Sequence, residues 1–195
     1  MAQSLSALEL RLQNSRDEGR GCDVKFILHQ VLTLDGKDLI FQSIQDSNRK
    51  EILAHKFVLA LGSEVFKAQF FGGLTKQESE IENEHWNFKD FKIFINSFYG
   101  LVNLAECSLG SLCELYYISD YYAVNKLMTA TLILIKEARS CAQEISEAAV
   151  IAHTIKNLHP ALSQALVRKV VFHCGTDPEN IKKFFNQHRL LIIIY

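Results

Sequence analysis

The 195-residue chain has no cysteines spaced as CxxC, no apolar run of membrane-spanning length and no surplus of one charge. Each absence removes a class of function. Twenty-one basic and 22 acidic residues leave a formal net charge of -1, so no general excess of Lys and Arg draws the chain toward nucleic acid or an anionic bilayer. The longest helical apolar stretch, "LMTATLILI", is about half of what a membrane span requires. The N-terminus "MAQSLSALELRLQNSRDEGRG" lacks the basic start and apolar run of a secretory signal. The five cysteines, Cys22, Cys107, Cys113, Cys141 and Cys174, are odd in number and scattered, which predicts reduced, mostly buried thiols in the cytosol or nucleus. With 48% hydrophobic and 22% charged residues, the composition is that of an ordinary folded soluble protein. The length suits one domain, or one domain and part of a second.

Catalytic motifs are missing as well. "FFGGLTKQE", residues 70–78, offers two glycines, a threonine and a lysine, but a phosphate loop needs glycine, four residues, glycine, lysine and then serine or threonine. Gly73 is followed by Leu74, and no glycine precedes it at the required distance. Gly72 and Gly73 are expected instead to stop a helix through the left-handed conformation. No serine stands in G-x-S-x-G, so there is no nucleophile elbow. His153, His159 and the pair His173–Cys174 lack the helical or short-loop spacing that gathers ligands on one ion. Glu82 with Glu84, and Glu144 with Glu147, are expected to be solvated faces. No enzyme, metal site or cofactor is expected.

What the chain does have is periodicity. In "CDVKFILHQ", Val24, Phe26 and Leu28 alternate with Lys25 and Ile27, the pattern of a strand. A second strand is expected at "DLIFQSI" after a turn at Asp35–Gly36, and "QDSNRKE" is expected to be a polar hairpin tip. Phe57, Leu61, Val65 and Phe66 then recur at helical spacing, broken by Gly62 and Ser63, with Ser63 as cap of the second helix. "ESEIEN" predicts a short edge strand with Ile81 inward. Asn87 is placed to cap a helix carrying Phe88, Phe91, Ile95 and Phe98 as far as Gly100. Two further helices bury Leu109, Leu112, Leu115 and Tyr116, then Val124, Leu127, Met128, Thr131, Leu134 and Ile135. An alanine-rich helix near "QEISEAAVIAHTIK" and another behind Pro160 follow. Pro178, with Asp177 as cap, opens a last helix. The terminal "LLIIIY" is expected either to pack as a buried strand or to continue into more chain.

In order, spacing and residue type, several of these stretches resemble the BTB (POZ) domain. The matching positions are Asp23–Val24 at a strand start, Ala54–His55–Lys56 opening a helix, Leu59–Ala60, Ser63 with Phe66, and Phe98–Tyr99–Gly100. The resemblance implies an α+β fold, a small mostly antiparallel sheet flanked by a cluster of short helices and followed by a helical BACK-like segment. "HKFVLALGSEVFKAQFFGGLTKQESEI" is most similar to the BTB-BACK subgroup that carries a PHR domain. Residues 1–21 would then be a dimerisation helix and lead-in, 22–137 the BTB/POZ domain, and 138–195 a partial BACK-like region. A longer insertion before "AHK", and the lack of a PHR, Kelch or zinc-finger region, depart from that subgroup.

By this resemblance the chain is a non-enzymatic adaptor that homodimerises and brings an unidentified client to a cullin-RING ubiquitin ligase, in the cytoplasm or nucleus. Nucleic acid and membrane are not expected partners. Leu5, Leu8 and Leu12 lie at helical spacing, and would pack on a second copy as the family's first helix does. Asp23 would lie partly buried on the dimer face, where an unpaired carboxylate is unfavourable, so a cation or amide donors should lie close by, with Lys56 as the candidate. Phe70, Leu74, Thr75, Lys76 and Tyr116 would form the cullin face. There the family places a hydrophobic residue, any residue and a glutamate, and Lys76 stands in the glutamate's place, a reversal costing about 1 to 3 kcal/mol. The alternative is a structural homo-oligomerisation module of a transcriptional or cytoskeletal regulator that meets no cullin, with residues 70–78 a solvated loop.

Overall fold

A computed structural model describes residues 7–29, 49–73, 79–83, 85–138, 141, 144–145, 148, 160–175 and 177–187. They fall into two compact units, Met1–Val102 with Tyr121–Val124, and Asn103–Asp120 with Asn125–Tyr195.

The first unit begins with helix α1 (Ala7–Asp17), followed by strands β1 (Val24–His29) and β2 (Arg49–Ala54). These two strands are antiparallel, with Phe26 opposite Ile52 and Val24 opposite Ala54. The alternation read from "CDVKFILHQ" does place Val24, Phe26 and Leu28 in the core, but Ile27 is buried too. The expected "DLIFQSI" strand and its turn lie outside the described residues. Arg49–Glu51, expected in a polar tip, belong to β2. Their exposure explains the misreading: β2 lies at an end of the sheet, where polar side chains are ordinary and β-propensity is a weak guide.

Helices α2 (Lys56–Gly62) and α3 (Glu64–Phe71) meet at Ser63. Its buried hydroxyl accepts the Phe66 N–H at 3.1 Å and donates to the Tyr122 carbonyl at 2.5 Å. The cap read from sequence therefore also ties two distant stretches of chain together. α3 ends at Gly72, but not through a left-handed residue: φ is -69° and the N–H donates to the Ala68 carbonyl at 2.9 Å. A Cβ at Gly72 would collide with that same carbonyl oxygen, whereas one at Gly73 would meet nothing within 4 Å. Glycine is needed at 72 for space rather than for backbone angle.

Strand β3 (Glu80–Asn83) adds parallel to β1, giving the order β2-β1-β3. Helix α4 (Phe88–Ser97) follows, capped by Asn87: the Asp90 N–H donates to Asn87 Oδ1 at 2.9 Å, and Asn87 Nδ2 in turn donates to the Asp90 carboxylate at 2.6 Å. The chain turns at Gly100, whose φ of +71° suits a residue without Cβ.

An aromatic cluster fills the core of this unit. Phe66 lies 4.4 Å from Tyr122, 5.4 Å from Phe70 and 5.8 Å from Phe26, centroid to centroid. Phe91 meets Phe26 at 5.2 Å, and Phe94 meets Tyr122 at 5.2 Å. Each buried ring contributes about 1.5–3 kcal/mol, and well-set pairs add about 0.5–1.5 kcal/mol.

The second unit holds a 3-10 turn (Leu104–Glu106), most of α5 (Leu109–Tyr121), α6 (Asn125–Glu137), α7 (Pro160–Cys174) and α8 (Pro178–Gln187). On α5 the expected Leu109, Leu112, Leu115 and Tyr116 are buried. On α6 Leu127, Thr131 and Ile135 are buried, while Met128 and Leu134, like Val124 just before the helix, are only half-buried. The Thr131 hydroxyl bonds back to the Leu127 carbonyl at 3.0 Å, which satisfies a buried polar group within its own helix. Asp177 caps α8, accepting the Glu179 N–H at 3.0 Å. The alanine-rich stretch lies mostly, and the terminal "LLIIIY" wholly, outside the described residues. All five cysteines are free, but only Cys113 is buried, so the expectation of mostly buried thiols fails.

Candidate functional site

The first unit offers two surfaces. One is made by α1, β2 and α2. Leu10 on α1, Leu53 on β2, and Phe57 and Leu61 on α2 are exposed large apolar side chains, the last two by 65% and 72%. Phe57 and Leu61 are four apart and so share one face of α2. The Leu53 side chain comes against Gly19 just after α1, within 3.4 Å of where a Cβ would lie.

The start of α2 is held from two sides. Asp23 Oδ1 accepts the backbone N–H of Lys56 at 2.7 Å, satisfying one of the donors that a helix start leaves free. The Tyr99 hydroxyl accepts the His55 backbone N–H at 2.9 Å and bonds His55 Nδ1 at 3.0 Å. His55 Nε2 reaches the Arg20 carbonyl at 3.1 Å, which makes Nε2 the protonated nitrogen and Nδ1 the acceptor of the Tyr99 hydroxyl. Arg16 completes the knot, donating to Asn96 Oδ1 at 2.7 Å with its guanidinium 4.8 Å from the Tyr99 ring centre. Burial pushes the Tyr99 hydroxyl up to about 12. Cys22 Sγ stands 3.9 Å from His55 Nε2, but burial also raises this thiol, the reverse of what a nucleophile needs.

The sequence-predicted residues are distributed unevenly over this surface. Leu5 lies outside the described residues, Leu8 lies in α1, and Leu12 is half-buried. Asp23 is exposed in the single chain, and Lys56 meets it through its backbone N–H. The Lys56 ammonium lies instead 5.7 Å from the centre of the Phe70 ring. The resemblance implies a cation or amide donors beside Asp23 with Lys56 as the candidate, and it is the Lys56 amide that meets the carboxylate.

The residues expected to meet a cullin are described only in part. Leu74, Thr75 and Lys76 lie outside the described residues. Phe70 is buried on α3, stacked on Phe66, and Tyr116 is buried on α5 in the second unit.

The second surface is a groove of about 660 Å³ that the sequence did not reveal. Val65, Ala68 and Gln69 of α3 form one wall, and Ile81, Glu82 and Asn83 of β3 the other. Trp86 and Tyr121 line it too, their rings 5.9 Å apart and near perpendicular, with Tyr121 62% exposed. Asn83 Nδ2 lies 3.4 Å from the buried Tyr122 hydroxyl, and its Oδ1 accepts the His85 N–H at 3.0 Å. Burial pushes the Tyr122 hydroxyl up, against hydrogen bonds from Trp86 and Asn83. The lining comes from three stretches far apart in sequence, and only the aromatic pair Tyr121–Tyr122 at a helix end could have hinted at it.

Among the described residues no group of His, Cys, Asp and Glu gathers to hold a metal, and no helix is long and apolar enough to cross a membrane. The family model for the BTB/POZ domain matches residues 12–138. Among solved structures, the BTB domain of zebrafish PATZ1 is similar at 21% identity, over 71% of this chain and 100% of that one, with a TM-score of 0.48. No curated protein matches the chain.

Proposed function

Because the chain belongs to the BTB/POZ domain family, we propose that it is a non-enzymatic interaction module that pairs with a second copy of itself through the α1–β2–α2 surface. One observation carries this reading: Leu10, Leu53, Phe57 and Leu61 are exposed on the elements that Asp23, His55, Tyr99 and Arg16 lock in place. Large apolar side chains exposed on one surface mark an interaction site, and a rigidly held surface loses little freedom on docking. The second copy would place its own Phe57 and Leu61 against the same face.

In the finer reading the dimer recruits an unidentified client to a cullin-RING ubiquitin ligase, in the cytoplasm or nucleus. The sequence supports it through Leu74 after α3, the apolar anchor of a cullin contact, and five free thiols fit a reducing compartment. The helices α7 and α8 support a BACK-like region beyond residue 138. One substitution favours the second reading, a structural oligomerisation module without a cullin: Lys76 stands where the contact expects an acid.

Titration calorimetry with a cullin N-terminal domain separates the two. The cullin reading expects binding that Lys76→Glu tightens and Leu74→Asp abolishes. No binding by either the natural chain or Lys76→Glu leaves the structural module.

A further inference from the structure

We infer that the groove beside β3 receives an extended, basic segment of a partner protein, which adds to the sheet as a fourth strand. β3 is at one end of the order β2-β1-β3, and among the described residues no strand lies beyond it. In a parallel pair the backbone groups facing the neighbour come from alternate residues. Lys25 N–H donates to the Ser79 carbonyl at 2.8 Å, and the register sets Lys25 opposite Glu80 and Ile27 opposite Glu82. Ile81 and Asn83 therefore turn their N–H groups to β1, and Glu80 and Glu82 turn theirs, with their carbonyls, outward. Such a row is a template for another strand.

The groove defines what that strand must be. A strand laid along β3 runs over Val65 and Ala68 on one face and reaches the Trp86 and Tyr121 rings. Alternate side chains on that face must be apolar. On the opposite face it meets Glu80 and Glu82, both exposed. Lys25 bonds Glu80 at 2.8 Å and Glu51 at 3.2 Å, and Arg49 lies 3.6 Å from Glu82, so two cations answer three carboxylates. Among the described residues that line the groove, Glu82 is the one Asp, Glu, Lys or Arg. The stretch 78–84, "ESEIENE", has four glutamates and no base. An incoming segment with Lys or Arg at every second position matches this edge, and an acidic one is repelled.

The probe is the synthetic peptide acetyl-GKVKVKVG-amide, titrated into the full chain at physiological salt, with the Glu-for-Lys peptide beside it. Expected is binding of the basic peptide, none of the acidic one, and slowed hydrogen exchange at the Glu80 and Glu82 amides. Glu82→Pro removes an outward N–H and leaves the inward bonds to β1, a position where an edge strand tolerates proline. It should weaken binding at least tenfold. The pair Glu80→Lys and Glu82→Lys should exchange the preference to the acidic peptide. A basic peptide N-methylated at alternate residues should bind no better than the acidic one, which keeps the test intact should Glu82→Pro fold poorly. No binding of the basic peptide at 1 mM, equal binding of both peptides, or affinity unchanged by N-methylation would overturn the inference and leave the acidic edge as a guard against strand pairing. Because the peptide and the amides that report it lie on β3, failure here leaves pairing through α2 untouched.

Discussion

Asp23 and Lys56 are joined by a carboxylate oxygen and a backbone N–H 2.7 Å apart, so the residue before β1 caps the first turn of α2. The bond runs between a strand start and a helix start 33 residues away. It needs an acceptor at position 23, not a charge. Asp23→Asn should therefore keep most of the stability and Asp23→Ala should lose about 0.5–2 kcal/mol, the usual cost of removing a cap. Urea unfolding of both variants checks this; equal losses would show that the charge matters instead.

Tyr99 satisfies the His55 N–H from within the core of the first unit. Tyr99→Phe keeps the ring and removes the acceptor, leaving a donor unpaired at a cost of about 1–3 kcal/mol. Thermal unfolding at neutral pH should show the loss, and an unchanged midpoint would mean that water replaces the hydroxyl.

The same hydroxyl sets a limit at high pH. Its folded value is raised from 10.0 to about 12 by burial, and the Tyr122 hydroxyl is raised further in the same direction. The folded state holds these protons more tightly than the unfolded chain does. The stability is fully present below pH 10 and is lost as pH rises toward 12 and beyond. A pH series of unfolding free energies should fall through that window, and Tyr99→Phe should flatten the fall.

Cys113 and Cys141 should differ most in reactivity. Burial pushes the Cys113 thiol up to about 12, whereas Cys141 is exposed. A limiting dose of a thiol reagent, followed by mass mapping, should label Cys141 first and Cys113 only after unfolding. Early labelling of Cys113 would mean that its helix opens on the experimental timescale.

Gly72 and Gly73 provide a paired test at the end of α3. Gly72→Ala forces a Cβ into the Ala68 carbonyl and should cost about 1 kcal/mol or more. Gly73→Ala meets open space and should leave the melting temperature nearly unchanged. Equal effects would contradict the steric account of Gly72.

Local chemistry made much of the fold legible. Ser63, Asn87 and Asp177 announce helix starts because a side-chain acceptor satisfies backbone donors two or three residues on, a relation contained within the sequence. The alternation at Val24, Phe26 and Leu28 is equally local. What stayed hidden depends on how the backbone is placed in space. Arg49–Glu51 read as loop because an edge strand asks for no apolar pattern. Gly72 read as a left-handed stop because no spacing shows that the Ala68 oxygen, one helical turn back, occupies the place of a side chain. Whether Asp23 meets a cation or an amide stays open in the sequence, because the helix start facing it lies 33 residues on. The β3 groove needs α3, β3 and Tyr121 brought together, and no spacing encodes that meeting.

Sedimentation of the intact chain at tens of micromolar, beside the double variant Phe57→Asp and Leu61→Asp, tests pairing through the α1–β2–α2 surface most directly. Both side chains are exposed, so the variant should keep the circular dichroism of the natural chain. The natural chain should sediment as a dimer and the variant as a folded monomer. A natural chain that sediments as a monomer, or a variant that remains a dimer, would contradict pairing through this surface.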